Sequence, residues 1–363
     1  MPYQKYRRII LQTLTFGLIW LVFGIVYVFI EAGIINRQTI YWETNIKYDL
    51  QISLIIIGIG SFLSGLIQGW IEVTWLRKKL SKFPFWLKIL LKNVFYITFV
   101  VLFLLILTLI SNANRFDLSI LDPEVNKSLW EFMNSFAFWS IVIFVGVILE
   151  VGLFYSEMTE YLGTEALYNY SFGKYHNPKQ ETRIFMFLDM KSSTTIAEKM
   201  GHVKYFELLK DYYGDMTDAI LETSGRIYQY VGDEIVVTWT KKDGVFNNNC
   251  IQCFSIICKT IGENKRRYME RYGAIPEFKA GFHLGEVTAG QIGIIKKDIV
   301  YTGDVLNTTA RIQAECNTYN TGILLSAELK EELQKDNMGN YTTIGELFLR
   351  GKTKAIRLYS LEL

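Results

Sequence analysis

Four long apolar stretches, all within the first 154 residues of a 363-residue chain, constrain its fold more than any other feature. They run approximately over Ile9–Ile30, Ile52–Trp70, Val94–Leu109 with its flanks, and Phe136–Phe154. Crossing a bilayer takes about 20 helical residues. A helix apolar on every side has no face to offer water. The first stretch is too long for a signal-peptide core and has no small-residue cleavage site after it, so it is expected to remain as an anchor.

Basic residues set the expected orientation. Lys5, Arg7 and Arg8 precede the first span, and Arg77, Lys78, Lys79, Lys82, Lys88 and Lys92 crowd the loop between the second and third. The other two loops carry only Arg37 and Lys47, then Arg115 and Lys127. Both termini are therefore predicted to be cytoplasmic in a multi-pass protein of the cell (inner or plasma) membrane, with the lipid bilayer as its first partner. Trp42 and Trp130 mark one interface, and Trp70, Trp75 and Trp86 the other. Glu72 and Glu150 are read as reaching the cytoplasmic interface, with Gln68 one turn before Glu72. The short outer loops leave no room for a folded receptor domain, so any regulatory ligand should be small or membrane-borne.

The expected division is a membrane domain over 1–154, a helical linker over 155–182 and a cytoplasmic catalytic domain over 183–363. The linker reads as a helix with a turn at Gly173 and a break near Pro178. A net charge of +2 gives no concentrated basic face, so nucleic acid is not an expected partner. Three of the four cysteines, Cys250, Cys253 and Cys258, fall in one apolar helix, and Cys316 lies apart. No second cluster at zinc-ligand spacing accompanies them, so buried, reduced thiols are expected.

From Arg183 the pattern becomes that of a soluble α/β domain. Ile184–Leu188 is a buried-strand run that ends in Asp189. A helical region follows over Ser192–Ser224. Two β-rich runs then flank Gly232-Asp233, which places Asp233 at a hairpin tip. After the cysteine helix, Pro276–Leu284 and Val287–Ile294 read as a strand pair about Gly285-Glu286. The order βαββαβ is that of a ferredoxin-like palm. Two carboxylates at neighbouring strand and hairpin ends can share hard divalent cations such as Mg²⁺. Further on, Asp304 reads as the N-cap of a helix on which Asn307 and Arg311, four apart, share one face. An amide and a guanidinium so placed can hold a ribose oxygen and a phosphate. Arg350-Gly351-Lys352 sits in a strand-like segment where glycine lets a ligand approach the backbone.

The stretches FLDMKSSTTIAE, YVGDEIV, FKAGFHLGEVTAGQIG, TGDVLNTTARIQ and RGKTK, in that order, resemble the catalytic domain of class III adenylyl and guanylyl cyclases. The resemblance covers roughly Arg183 to Leu363. It implies that Asp189 and Asp233, helped by the Met190 backbone carbonyl, bind two Mg²⁺ or Mn²⁺ ions per site. It implies that Asn307 orients the ribose, Arg311 stabilises charge at the α-phosphate and Lys352 contacts the terminal phosphates. Lys279 would read the adenine of ATP. The metal aspartates and the Asn/Arg/Lys set would come from opposite chains of a head-to-tail homodimer. One departure is Val300, where the family usually places Asp or Thr to meet the base; Thr302 is the nearest polar substitute. The expected activity is conversion of ATP to 3′,5′-cyclic AMP and pyrophosphate. The alternatives are a guanylate cyclase, a degenerate cyclase acting as a regulatory binding module, and a transporter with an accessory domain, which four spans support poorly.

Overall fold

The structure, a computed structural model, describes residues 3–35, 49–334, 339–348 and 355–362. Two compact units divide it, one over residues 7–167 and the other over 168–363 apart from a short N-terminal segment.

The first unit is helical. Its elements are α1 (Tyr3–Ile35), α2 (Leu50–Ile71), a π-helical turn (Glu72–Leu76), α3 (Arg77–Leu80), α4 (Phe85–Phe116), α5 (Pro123–Met133) and α6 (Phe136–Leu162). Four stretches, Ile9–Gly33, Leu50–Leu80, Phe85–Phe116 and Phe136–Leu162, are long and apolar enough to cross a membrane. Their ends are chemically marked. Asp49 accepts hydrogen bonds from the Gln51 and Ile52 amides at the start of α2, and Ser135 accepts from Phe138 at the start of α6. Ile55, Ile56, Ile59, Leu102 and Ile143 point outward, which suits a lipid surround and not water. Helices α1 and α2 meet through glycine: a Cβ on Gly65 would stand 2.5 Å from the Phe16 carbonyl oxygen, so only a bare backbone fits. Glu150 is exposed, but Glu72 is fully buried among side chains of other helices.

The second unit begins in the short helix α7 (Thr164–Ser171) and is an α/β domain. Its elements are β1 (Lys179–Met190), α8 (Ser193–Met200), α9 (His202–Glu222), β2 (Arg226–Val231), β3 (Glu234–Thr240), α10 (Lys241–Val245), α11 (Asn249–Glu263) and α12 (Lys265–Tyr272). There follow β4 (Phe278–Ile292), β5 (Asp298–Thr302), α13 (Asp304–Thr318), β6 (Ile323–Ser326), α14 (Ala327–Glu332), β7 (Asn340–Leu347) and β8 (Ile356–Glu362). The sheet order is β2-β3-β1-β4-β6-β8-β7, with β5 paired on β4. Strand β1 lies antiparallel between β3 and β4, and β4 runs parallel to β6.

Alternate residues of β1 serve opposite faces. Ile184, Met186, Leu188 and Met190 join α9 and α11 in the main core, while Phe185 and Phe187 pack with Val236, Val287 and Val305 beyond the other face. Cys250, Cys253 and Cys316 are buried free thiols, and burial pushes each up to about 12. Cys258 is the exposed one.

Two local expectations give way. Gly285-Glu286 is no turn: β4 runs unbroken through it, and the chain reverses after Gly293, whose φ is +102°. Gly285 is glycine because a Cβ there would meet the Val305 side chain of α13 at 2.5 Å. Likewise Gly303 takes the N-cap position and Asp304 begins the helix, where its carboxylate accepts from the Thr308 hydroxyl at 3.4 Å.

Helix α13 also crosses β4 closely at Gly281. A Cβ there would lie 2.4 Å from the Gln313 backbone nitrogen and 2.6 Å from its Cα, and backbone cannot swing aside. Gly281→Ala is therefore expected to cost about 3 kcal/mol, the upper end for overpacking, read as loss of thermal stability of the full chain in detergent.

Candidate active site

Asp189 and Asp233 are brought together by the sheet. Strand β1 delivers Asp189 at its end, and the β2–β3 hairpin delivers Asp233 at its two-residue tip, closed by the Val231↔Glu234 pair. Gly232 supplies the positive φ of +64° that this turn needs. Because β3 is the neighbour of β1, the tip folds back beside the end of β1.

The electrostatics are those of an undercompensated anionic site. Burial, then the neighbouring Asp233, push the Asp189 carboxyl above its usual range, and Lys279 opposes the rise. Glu234 is pushed up to about 7, first by burial and then by Asp189 and Asp233. Asp233 Oδ2 is buried without a hydrogen-bond partner. Repelling carboxylates with an orphaned oxygen fit a hard cation. Among the described residues no three His, Cys, Asp or Glu side chains converge as a complete ligand set. A carboxylate pair suits Mg²⁺ or Mn²⁺, which take water and phosphate oxygens in their remaining positions. The Met190 side chain is in the core, so only its backbone is available to such ions.

Lys279 stands directly across from Asp189 in the β1–β4 register. Its ammonium lies 3.4 Å from Asp189 Oδ2 and donates to Asn317 Oδ1 at 3.0 Å. Those two contacts, both within its own chain, occupy two of the three ammonium donors. Gln313 donates to Asp189 Oδ2 at 3.1 Å from α13. Neither Gln313 nor Asn317 stood out in the sequence; their lying four apart on the helix of Asn307 and Arg311 was the available signal.

Asn307 is exposed and Arg311 half-buried, and neither has a hydrogen-bond or ion-pair partner among the described residues. At about 100° per residue, Arg311 lies on the far side of α13 from Gln313 and Asn317. Gln313 and Asn317 turn to their own chain's Asp189 and Lys279, and Arg311 turns away from them. Thr302 is exposed at the end of β5, and its hydroxyl donates to the Thr288 carbonyl at 3.3 Å. Val300 pairs with Gly290 in the β4–β5 ladder. Lys352 lies outside the described residues.

The model of the adenylate and guanylate cyclase catalytic domain matches residues 175–362. Adenylate cyclase 2 of Rhizobium meliloti (strain 1021) is 34% identical over 209 residues, covering 58% of each chain. The adenylate cyclase of Anabaena cylindrica is 27% identical over 184 residues, 49% of this chain and 36% of that one. The matched segment thus spans about half the length of these relatives or less. A solved bacterial light-regulated adenylyl cyclase shares the fold at 20% identity and a TM-score of 0.50, covering 60% of this chain and 64% of that one. With the carboxylate pair at a strand end and hairpin tip, on a sheet of matching fold, the chain belongs to the adenylate and guanylate cyclase catalytic-domain family.

Proposed function

We propose that the chain is a membrane-anchored adenylate cyclase that turns ATP into 3′,5′-cyclic AMP and pyrophosphate in a head-to-tail homodimer. The observation that carries this reading is the Asp189–Asp233 pair, held where β1 ends beside the β2–β3 turn with too little positive charge beside it. Two divalent cations bound there, with the Met190 carbonyl assisting, would make the ribose 3′-hydroxyl more acidic and neutralise the triphosphate.

The chain's own groups do the positioning. The 3′-hydroxyl gives its proton to solvent water, its oxygen forms a bond to the α-phosphorus, the bond from that phosphorus to the bridging oxygen breaks, and pyrophosphate leaves. Asn307 holds the ribose so that attack is in line, and Arg311 meets the charge that grows on the α-phosphate oxygens. Lys352 takes the terminal phosphates. Arg311 faces away from its own Asp189 on α13, and with Asn307 one turn before it would complete the site of a second copy. Lys279, beside Asp189 and Asn317, would read the adenine. Thr302 offers the polar contact that Val300 lacks. The four apolar helices anchor the enzyme with the basic loop and the catalytic unit on the cytoplasmic side.

The reading is tested by turnover of purified full-length protein with ATP and with GTP, each in Mg²⁺ and in Mn²⁺. Cyclic AMP from ATP is the expected product, with GTP poorer by at least about tenfold, the cost of one mismatched polar contact. Cyclic GMP as the main product would move the chain to the guanylate cyclases, one of which, the receptor-type gcy-6 of Caenorhabditis elegans, is 29% identical over 173 residues. Absence of either product from a folded dimer would leave a regulatory nucleotide-binding module.

A further inference from the structure

The helical unit contains a charged centre that anchoring does not require. Lys92 of α4 is fully buried and donates to two equally buried carboxylates, Glu72 Oε1 and Glu157 Oε1, each at 2.5 Å. The three residues come from three different helices. Around them, the Ser156 hydroxyl donates to Glu72 Oε1 at 2.9 Å and Tyr96 to Glu72 Oε2 at 3.2 Å. Lys88 lies 3.6 Å from Glu157 Oε2 and donates to Glu160 at 2.7 Å. Arg77 reaches Ser156 at 3.0 Å and Gln12 of α1 at 3.2 Å. All four long helices therefore meet at one polar node. It lies at the C-terminal end of α2 and α6 and the N-terminal end of α4, the end that carries the basic loop.

Buried ion pairs are a poor way to gain stability, because removing the charges from water offsets most of their attraction. Charges among apolar helices are costlier still and mark functional positions. Glu72 also opens the π-helical turn, a wide backbone form uncommon outside functional places. Most telling is how α6 is held. Upstream it packs through Ile148, Leu149 and Leu153. Its last turns are tied mainly by charge and hydroxyl, Ser156 to Glu72, Glu157 to Lys92 and Glu160 to Lys88, with one aromatic contact, Tyr161 against Phe85. One residue beyond its end, Gly163 at φ +82° leads into α7 and the catalytic unit. Losing the Lys92 charge would leave Glu72 and Glu157 facing each other among apolar helices.

We propose that Glu72, Lys92 and Glu157 form an electrostatic latch that fixes the exit end of α6, and that the state of this latch sets catalytic output. The turnover part of this rests on the cyclase reading above; the latch itself does not.

The test uses full-length protein in membranes. Phe85 of α4 and Tyr161 of α6 have ring centroids 5.8 Å apart, so a Phe85→Cys/Tyr161→Cys pair, with Cys258→Ser, reports the position of α6 by oxidative disulfide formation. Lys92→Met and Glu72→Gln should each slow that crosslink and lower ATP turnover by about fivefold or more, the lower end of coupling between sites. The swap Lys92→Glu/Glu157→Lys keeps two acids and one base at the node, and should restore both readouts. Unchanged crosslinking and turnover in Lys92→Met would overturn the latch. So would failure of the swap to recover either readout while both single variants lose it, since damage would then not depend on charge pairing. Crosslinking that follows the charges in a protein making no cyclic nucleotide would uphold the latch and place the failure in the proposed reaction.

Discussion

Asp233→Ala is expected to remove cyclic-nucleotide formation by at least about a thousandfold, the upper range for losing one preorganised charge-stabilising group, while leaving the melting temperature nearly unchanged. The second half of that expectation comes from the structure. Asp233 sits on a turn held by Gly232 and the backbone ladder, and its Oδ2 has no hydrogen bond to lose. Removing it also relieves the repulsion that raises Asp189 and Glu234. Asp189 needs a gentler change, because alanine there would strand Lys279, which is 7% exposed. Asp189→Asn keeps the contacts to Gln313 and Lys279 and discards the charge. It should be equally inactive and fully folded. Turnover and thermal unfolding on the same preparations check both statements, and wild-type turnover in either variant would end the cation argument.

Mixing two dead variants should revive activity. Asp189→Asn lacks the cation carboxylate, and Arg311→Ala lacks the guanidinium on the outward face of α13; neither homodimer has a complete site. A heterodimer has one site carrying both lesions and one carrying neither. With free exchange, half the dimers are mixed and half their sites intact, giving about a quarter of wild-type turnover for a two-fold assembly. Assayed after co-expression with two different tags to prove mixing, no recovery in demonstrated heterodimers would place both residues in one chain's site and remove the composite reading.

Much of this was readable along the chain, because short-range chemistry governs it. Apolar length announces the four long helices, and Gly-Asp between two β-rich runs announces the hairpin that carries Asp233. Positions 307 and 311 declare a shared helix face by spacing alone. The failures share one cause. Gly285 resembles a turn residue in isolation, yet it is glycine because Val305, twenty residues on, presses against it. Gln313 and Asn317 matter because α13 crosses β4 beside Asp189, a tertiary fact with no local signature. Lys92 counts among loop charges that orient a membrane protein, and Glu157 reads as linker. Only the packing of three helices brings Lys92 and Glu157 together with Glu72.

The length of α6 has a bearing on what this protein can sense. Twenty-seven helical residues span about 40 Å at 1.5 Å each, against about 30 Å of hydrocarbon. With Phe136 taken as the point of entry into hydrocarbon, the surplus falls at the end bearing Ser156, Glu157 and Glu160, within the headgroup layer. Almost none of a transmembrane voltage drops there, so the electrical work available to move those charges is a small part of the ~2.3 kcal/mol per charge that 100 mV supplies across the full thickness. Surface charge, lipid headgroup chemistry and local ion concentration act at that depth with full strength. The helix ends where a membrane is chemically rich and electrically quiet.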